Sequence, residues 1–213
     1  MLNSNQKEAK TSVVIYDLDG TLIPFNSFKY WVVISFLLSF FFFQIRYFVF
    51  IIQLSIKRGC GNLDRIQFKE AIVRYHDTNR DSFFFAWYNQ QFASLLAKRT
   101  KISLLKSEEA STFYLATAAP DCYVKYYVER MGCFQHYTAC SIENGIFFEN
   151  LGEQKLLKLK QNLSQELFDA SLYTDHYDDI LLAKAVKNVY LVHPNKKTLA
   201  TFQKAMISFN VLI

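Results

Sequence analysis

Two aspartates one residue apart follow a short apolar segment near the start of the chain. Asp17 and Asp19 close the run that begins at Val13, and Gly20 and Thr21 follow them directly. Side chains two residues apart along a strand point to the same side, so both carboxylates are expected to face one space where the strand ends. Glycine lets the backbone turn sharply at that point. Two carboxylates that converge at the carboxyl end of a strand suit a divalent cation and a phosphate group.

Three later segments carry residues suited to the same chemistry. In chain order they are Thr117-Ala118-Ala119-Pro120, then Lys155, then Asp175-His176-Tyr177-Asp178-Asp179. Phosphoryl transfer requires positioning and charge neutralisation, and a hard cation prefers oxygen ligands. One lysine and one cation among several carboxylates would let Asp17 stay ionised beside an anionic substrate.

The elements that must position these residues alternate along the chain. Short, apolar, β-rich segments predict strands, and the segments between them have helical patterns. The predicted strands are 12–17, 112–117, 170–174 and 189–192, and the predicted helices are 122–130, 154–162 and 180–187. The Asn144-Gly145 pair predicts a β-hairpin turn within 138–148. This alternation predicts an α/β fold with a parallel sheet, in which Asp17, Thr117 and Asp175 all lie at strand carboxyl ends.

Residues 26–100 break the alternation and are predicted to be a helical insertion. Segments 63–75 and 84–96 have the pattern of amphipathic helices. The segment 31–56 is more apolar: 31–43 is almost wholly so, and 45–57 is apolar except for a narrow stripe of Arg46, Gln53 and Lys57. A single membrane span there would separate Asp17 from Thr117 and Asp175, and two spans would need roughly 40 residues. Two interpretations stay open: a helical hairpin buried within the insertion, or a hairpin that contacts one leaflet of a membrane.

Composition excludes several classes of function. The chain has 213 residues, of which 51% are hydrophobic and 20% charged, with a net charge of +5. Its basic residues are scattered, which argues against a nucleic-acid partner. The four cysteines form no CxxC pair, so a zinc site is not expected. The cysteines are expected to be reduced thiols. The polar first ten residues predict no secretory signal, and hence a cytoplasmic protein or one at the cytoplasmic face of a membrane.

The order and spacing of the four motifs resemble the haloacid dehalogenase superfamily, specifically its phosphoserine-phosphatase-like branch. The resemblance implies a Rossmann-like core at 1–25 and 101–213, with an all-helical cap at 26–100. It is closest over 111–182, where the segment from Glu149 to Lys155 also follows the branch's order. The cap resembles that of bacterial members with lipid phosphate substrates, such as phosphatidylglycerophosphatase C. His176 stands where the branch usually has Ser or Gly.

The resemblance implies a role for each motif residue. Asp17 would be the nucleophile that forms an aspartyl-phosphate, and Asp19 would be the general acid and then the general base. Thr117, Ala118, Gly20 and Lys155 would bind the phosphate. Asp17, the backbone carbonyl of Asp19, and Asp175 would hold Mg²⁺. Either Asp178 or Asp179 would support the metal site, and the spacing favours Asp179.

The expected function is that of a Mg²⁺-dependent phosphomonoesterase, because dehalogenases lack the second aspartate. The apolar insertion favours a lipid or other amphipathic phosphate as substrate, and peripheral membrane contact through 31–56. Two alternatives stay open. One is a phosphatase for a small metabolite such as phosphoserine, and the other is a membrane-associated scaffold with little activity. The sequence gives no indication of the oligomeric state.

Overall fold

Seven strands form one sheet in the computed structural model, which describes residues 12–105 and 111–213. In chain order the strands are β1 (Ser12–Tyr16), β2 (Ser111–Pro120), β3 (Phe134–Glu143), β4 (Ile146–Phe148), β5 (Ser171–Thr174), β6 (Asn188–Val192) and β7 (Asn210–Leu212). Their spatial order is β4-β3-β2-β1-β5-β6-β7, and only the β3–β4 pair is antiparallel. The predicted α/β fold with a parallel sheet is therefore confirmed. The expectations about the first ten residues lie outside the described residues.

Helices occupy both the insertion and the connections of the sheet. Those between β1 and β2 are α1 (Ser27–Phe41), α2 (Ile45–Gly59), α3 (Arg65–Thr78), α4 (Phe83–Arg99) and the short α5 (Ile102–Leu105). Those after β2 are α6 (Asp121–Met131), α7 (Gly152–Leu163), α8 (Glu166–Asp169), α9 (Ile180–Ala183) and α10 (Lys196–Lys204). The described part of the insertion is thus helical, while the division of the chain into core and cap at 25 and 101 stays a prediction.

Some element boundaries differ from those predicted. The helix predicted over 180–187 is wrong beyond Ala183, because the backbone N–H groups of Lys187 and Asn188 donate to Ala170 O and turn the chain into β6. Helix α10 and strand β7 were not predicted. Helix α10 buries Thr198 and Phe202, which are four residues apart on one side, so the sequence carries a helical pattern there that was not used. Strand β7 has only three residues, which is too short for a periodic signal.

The two faces of the central strand pack against different layers. Val14 and Tyr16 belong to a cluster that includes α6 and the helices of the insertion, whereas Val13 and Ile15 pack with α7 to α10. Alternate residues of a strand point to opposite faces, which explains this division. The first cluster continues from the sheet into the insertion, so the insertion shares its hydrophobic core with one face of the sheet.

The apolar segment 31–56 forms a hairpin of α1 and α2 that is only partly buried. Trp31 and Tyr47 are buried, while Phe41 and Phe43 at the turn are 71% and 85% exposed. Within the described residues, no helix is both long enough and apolar enough to cross a membrane. The segment therefore combines a buried face with an extensive exposed one.

Candidate active site

Lys155 lies at the centre of the candidate site, where α7 meets the carboxyl ends of β1 and β5. Its side chain is only 2% exposed. The ammonium group lies 3.1 Å from Asp17 Oδ1 and 2.8 Å from Asp179 Oδ1. Asp179 Oδ2 also accepts a hydrogen bond of 2.7 Å from Thr174 Oγ1, at the end of β5. One buried cation thus bridges two carboxylates from distant parts of the chain.

Electrostatics at this bridge keep Lys155 charged. Burial by itself lowers the Lys155 pKa, but Asp17 and Asp179 outweigh that effect and raise it above its usual value. Burial raises the pKa of Asp17 to about 6, against the opposing attraction of Lys155. At neutral pH the pair is therefore an ion pair, with Asp17 as a carboxylate.

Gly20 allows Asp175 to approach the loop that follows β1. Gly20 has a φ of +78°, and a Cβ atom there would overlap the Asp175 carboxylate. Both the backbone conformation and the close approach therefore require glycine. Burial, with repulsion from Asp17 second, raises the pKa of Asp175 to about 7.

Asp19 is held by the first helix of the insertion rather than by Lys155. Ser27, the first residue of α1, hydrogen-bonds to the Asp19 carboxylate through its side chain and its backbone. The Ser27 hydroxyl in turn lies 2.7 Å from Tyr123 Oη on α6. Burial raises the pKa of Asp19 to about 7, although the Ser27 hydrogen bonds oppose the increase. The two aspartates of the motif thus have different partners beside one cavity.

The residues present fit a divalent cation. Asp19 Oδ1 and Asp175 Oδ1 are buried and have no hydrogen-bond partner. In the described part of the chain, no three His, Cys, Asp or Glu side chains form a complete metal-binding group. Mg²⁺ needs no such group, because it commonly binds one or two carboxylates and completes its octahedron with waters and substrate phosphate. Asp17, Asp175 and the Asp19 carbonyl could supply the protein's share.

Three of the four predicted phosphate-binding residues line the cavity, and the fourth lies behind them. Gly20, Ala118 and Lys155 line the cavity. Thr117 lies behind them, almost fully buried, and its Oγ1 accepts a hydrogen bond of 3.0 Å from the backbone N–H of Ala119. The Thr117 side chain is thus part of the loop's internal bonding, and the neighbouring Ala118 lines the cavity.

Asn150 supports this loop, and its role was not predicted. Its Nδ2 donates to Thr117 O at 2.8 Å and to Thr138 Oγ1 at 3.1 Å, which ties the end of β2 to β3. Asn150 lies within the 149–155 segment on which the family resemblance depends. Its position there is the only sequence signal for it, since a lone asparagine after a strand predicts a turn.

The insertion supplies the opposite wall of the cavity, whose volume is about 440 Å³. Lys69 of α3 is buried, and its Nζ lies 3.2 Å from both Glu149 Oε1 and Cys140 Sγ. Arg65, one turn earlier, lies 3.7 Å from Glu149 and has a largely exposed side chain. The aromatic rings of Phe25 and Phe28 complete this wall. None of these residues was predicted, because nothing local in the sequence indicates that α3 faces the strand ends.

Asp178 and Asp179 are adjacent in sequence but have different surroundings in the structure. Asp179 is buried against Lys155, whereas Asp178 lies beside His176. The Nδ1 atom of His176 accepts a hydrogen bond of 3.3 Å from the backbone N–H of Asp178, so His176 caps the short 3₁₀ helix Tyr177–Asp179. The His176 side chain therefore has a local role as the cap of this short helix.

Known structures share this arrangement of strands and helices. A protein of unknown function from Bordetella pertussis Tohama I superposes with a TM-score of 0.58 at 17% identity, over 95% of this chain and 99% of that one. A probable phosphoserine phosphatase from Vibrio cholerae gives 0.56 at 13% identity, over 95% of this chain and 60% of that one. A phospho-aspartyl intermediate analogue of phosphoserine phosphatase gives 0.50 at 13% identity, over 95% and 93%.

Comparison by sequence finds no relatives, whereas comparison by structure finds proteins with the same fold. No protein-family model matches the sequence, and no curated protein matches it. Identities of 13 to 17% establish the fold alone. At this level the predicted Rossmann-like fold is confirmed, since the chain shares its fold with phosphoserine phosphatases of known structure.

Proposed function

We propose that this protein is a Mg²⁺-dependent phosphatase that hydrolyses a phosphomonoester through an aspartyl-phosphate intermediate. The observation that carries the proposal is the buried Lys155 bridge between Asp17 and Asp179, beside a cavity that Asp19 and Asp175 also line. The shared fold with a probable phosphoserine phosphatase supports the same reaction class.

Asp17 acts as the nucleophile because it is ionised at neutral pH and faces the cavity. Lys155 fixes its carboxylate and neutralises charge as the phosphate approaches. An Asp17 oxygen attacks phosphorus, the bond between phosphorus and the ester oxygen breaks, and an aspartyl-phosphate forms. Asp17, Asp175 and the Asp19 carbonyl would hold Mg²⁺, which would supply positive charge to the phosphate.

Asp19 acts as the acid and then as the base. A pKa of about 7 allows Asp19 both to hold a proton and to release it near neutral pH. It protonates the leaving alcohol in the first step. In the second step it takes a proton from water, whose oxygen attacks the aspartyl-phosphate. Inorganic phosphate leaves and the Asp17 carboxylate is restored.

The substrate is a lipid or another amphipathic phosphate in this proposal. Phe25 and Phe28 offer an apolar wall, while Arg65 and Lys69 together carry one more charge than their partner Glu149. A phosphate ester with an apolar part and a further anionic or polar group would complement that wall. A small metabolite such as phosphoserine is the alternative substrate class, and a scaffold with little activity is the non-enzymatic alternative.

The test measures release of inorganic phosphate with Mg²⁺ and mild detergent. Substrates are phosphoserine and other soluble phosphomonoesters, lysophosphatidate and phosphatidylglycerophosphate. Wild type is compared with Asp17→Asn and with Asp81→Asn, the same change at an exposed aspartate of the insertion. We expect Asp17→Asn to lose at least about a thousandfold in rate and Asp81→Asn to match wild type.

The substrate pattern separates the alternatives. Hydrolysis of the lipids that depends on Asp17 supports the full proposal. Hydrolysis of soluble esters alone would keep the mechanism and assign the protein to small metabolites. Release that is the same in wild type and Asp17→Asn, or absent from every substrate, would overturn the proposal in favour of the scaffold.

A further inference from the structure

Helices α1 and α2 each expose a row of apolar side chains. On α1 the exposed residues are Tyr30, Val33, Leu37 and Phe40, spaced three or four residues apart. On α2 they are Ile45, Val49, Ile52 and Ile56, with the same spacing. Residues at this spacing share one side of a helix. Together with Phe41 and Phe43 at the turn, these ten residues are called the hairpin apolar face.

Helix α1 lacks the polar exposed side of an ordinary surface helix. Its buried side carries Ser27, Ser35 and Ser39 beside Trp31 and Val32, while its exposed side is apolar. Ser35 Oγ donates to Val32 O at 2.9 Å and Ser39 Oγ donates to Phe36 O at 2.6 Å, so the buried hydroxyls are satisfied within the helix. A helix that meets only water would place these serines outward. An extended exposed apolar surface of this kind indicates an interaction surface.

The charged residues within the hairpin segment are all positive. Residues 20–63 contain no aspartate or glutamate, and they include the exposed Lys29, Arg46, Lys57 and Arg58. Within the described residues, none of these four forms an ion pair. The remainder of the chain contains all 19 acidic residues. Apolar side chains on a segment whose own charges are all positive complement a lipid surface that carries negative headgroups.

We propose that the hairpin apolar face docks on the surface of a bilayer that contains anionic phospholipids. Each helix has 15 residues and is about 22 Å long, which is too short to cross but long enough to lie in the interface. Phe41 and Phe43 insert among the acyl chains, and the four cations contact headgroups. The docking itself does not depend on the proposed phosphatase activity.

The hairpin apolar face continues to the cavity of the candidate site. The ring of Tyr30, its first residue, lies 5.0 Å from the ring of Phe25, and Phe25 lines the cavity. A docked protein would therefore hold the cavity entrance close to the bilayer. If the proposed function is correct, an amphipathic phosphomonoester could reach Asp17 from the lipid phase along this apolar path.

The test is flotation of the full chain with vesicles of phosphatidylcholine, with and without phosphatidylglycerol. We expect binding to the vesicles that contain phosphatidylglycerol, and weaker binding at high salt. The double variant Phe41→Gln/Phe43→Asn should lower the partition coefficient about tenfold or more. Asparagine is chosen because Phe43 has a φ of 54°. The matched control, Ile146→Gln/Phe168→Gln, changes two exposed apolar residues elsewhere and should bind as wild type does.

A charge variant tests the choice of anionic lipid. Arg46→Gln/Lys57→Gln should lower binding to vesicles with phosphatidylglycerol about fivefold per charge, and leave binding to phosphatidylcholine alone unchanged.

Absence of wild-type binding, or equal losses in the Phe41/Phe43 variant and its control, would overturn the proposal. So would sedimentation showing a dimer that the Phe41/Phe43 variant dissociates, since a second copy would then cover the face. Flotation does not measure phosphate release, so these outcomes are independent of the phosphatase test.

Discussion

Two aspartates one residue apart have different surroundings, and this difference is what allows two chemical roles. Asp17 contacts a buried ammonium group, while Asp19 contacts the hydroxyl and amide of Ser27. A neighbouring cation favours the ionised form that a nucleophile needs. A buried carboxyl without such a cation holds its proton to higher pH, as an acid requires. Sequence alone predicted that the pair would share one space, but not that their partners would differ.

Replacing Asp19 by asparagine separates the two steps of the proposed reaction. Asp19→Asn should lower the turnover of alkyl phosphates about a hundredfold to ten-thousandfold, because the leaving alcohol loses its acid. With p-nitrophenyl phosphate, whose leaving group needs little protonation, the variant should release nitrophenol up to one equivalent of enzyme and then stall. Stopped-flow absorbance measures this burst. A steady rate without a burst would contradict a covalent intermediate whose hydrolysis needs Asp19.

Gly20 can be tested against a glycine that has the same type of backbone conformation. Gly20 and Gly132 both have positive φ, but only at Gly20 would a Cβ overlap another group, the Asp175 carboxylate. Gly132→Ala should cost about 1 kcal/mol of unfolding free energy from backbone strain and leave activity unchanged. Gly20→Ala should also displace Asp175 and reduce phosphatase activity severely. Urea unfolding and a Mg²⁺ titration of activity measure the two effects. Equal activity in both variants would contradict a role for the Gly20–Asp175 contact.

At the scale of elements, the strands were easier to predict than the faces of helices. Buried parallel strands are short apolar runs, and their carboxyl ends indicated where Asp17 and Asp175 would meet. Helix α1 is apolar on nearly every side, so no periodicity indicated which side would be buried. That side is decided by tertiary partners, such as Tyr123 for Ser27 and Tyr47 for Ser35. Lys69 and Asn150 were missed for the same reason.

The insertion has its own buried centre at His76. Its ring lies among Trp31, Tyr47 and Phe85, and its Nε2 is 2.9 Å from Tyr47 Oη. Nδ1 has no partner. The Ser35 hydroxyl donates its one hydrogen to Val32 O, so Ser35 Oγ must accept from the Tyr47 hydroxyl. The Tyr47 oxygen can then only accept in its hydrogen bond with His76, so His76 Nε2 carries the hydrogen. The buried imidazole is therefore neutral.

This neutral histidine makes stability depend on pH. Burial lowers the pKa of His76 to about 3, below the value near 6.5 of an unfolded histidine. The unfolded state therefore binds the proton first. The stabilising contribution is complete above pH 6.5 and falls by about 1.4 kcal/mol per pH unit as the pH drops toward 3.

The prediction is tested by urea unfolding of wild type and His76→Leu between pH 7.5 and about 4.5. Buried carboxyls with raised pKa values contribute the opposite slope, since their folded forms gain protons as the pH falls. The difference between the two proteins cancels those contributions. We expect wild type to lose roughly 2 kcal/mol or more relative to His76→Leu over this range. Parallel profiles for the two proteins would contradict a buried neutral His76.

At the scale of the whole molecule, the insertion and the sheet are one packed unit. The cluster that contains Tyr16 and Leu115 of the strands also contains Trp31, Tyr88 and Phe92 of the insertion. Asp19, Ser27 and Tyr123 add a polar connection across the same boundary. A change in the insertion is therefore expected to reach the carboxylates of the site through Ser27.

The same packing concentrates negative charge at the strand ends, and this predicts how the protein responds to Mg²⁺. Asp17, Asp19, Asp175 and Asp179 line one cavity, in which Lys155 contacts only Asp17 and Asp179. Burial with repulsion from the other carboxylates raises the pKa of Asp175 to about 7. At pH 8 an ionised Asp175 therefore opposes folding. Without metal, Asp175→Asn should raise the unfolding free energy by about 1 to 3 kcal/mol. With Mg²⁺ the order should reverse, because a cation that binds only the folded protein stabilises it by mass action and wild type has the better site.

Thermal unfolding of both proteins with EDTA and with millimolar Mg²⁺ measures this reversal. The matched control is Glu166→Gln at an exposed glutamate. Its melting temperatures with EDTA and with Mg²⁺ should equal those of wild type. Equal Mg²⁺-induced shifts in wild type and Asp175→Asn would show that the ion binds elsewhere.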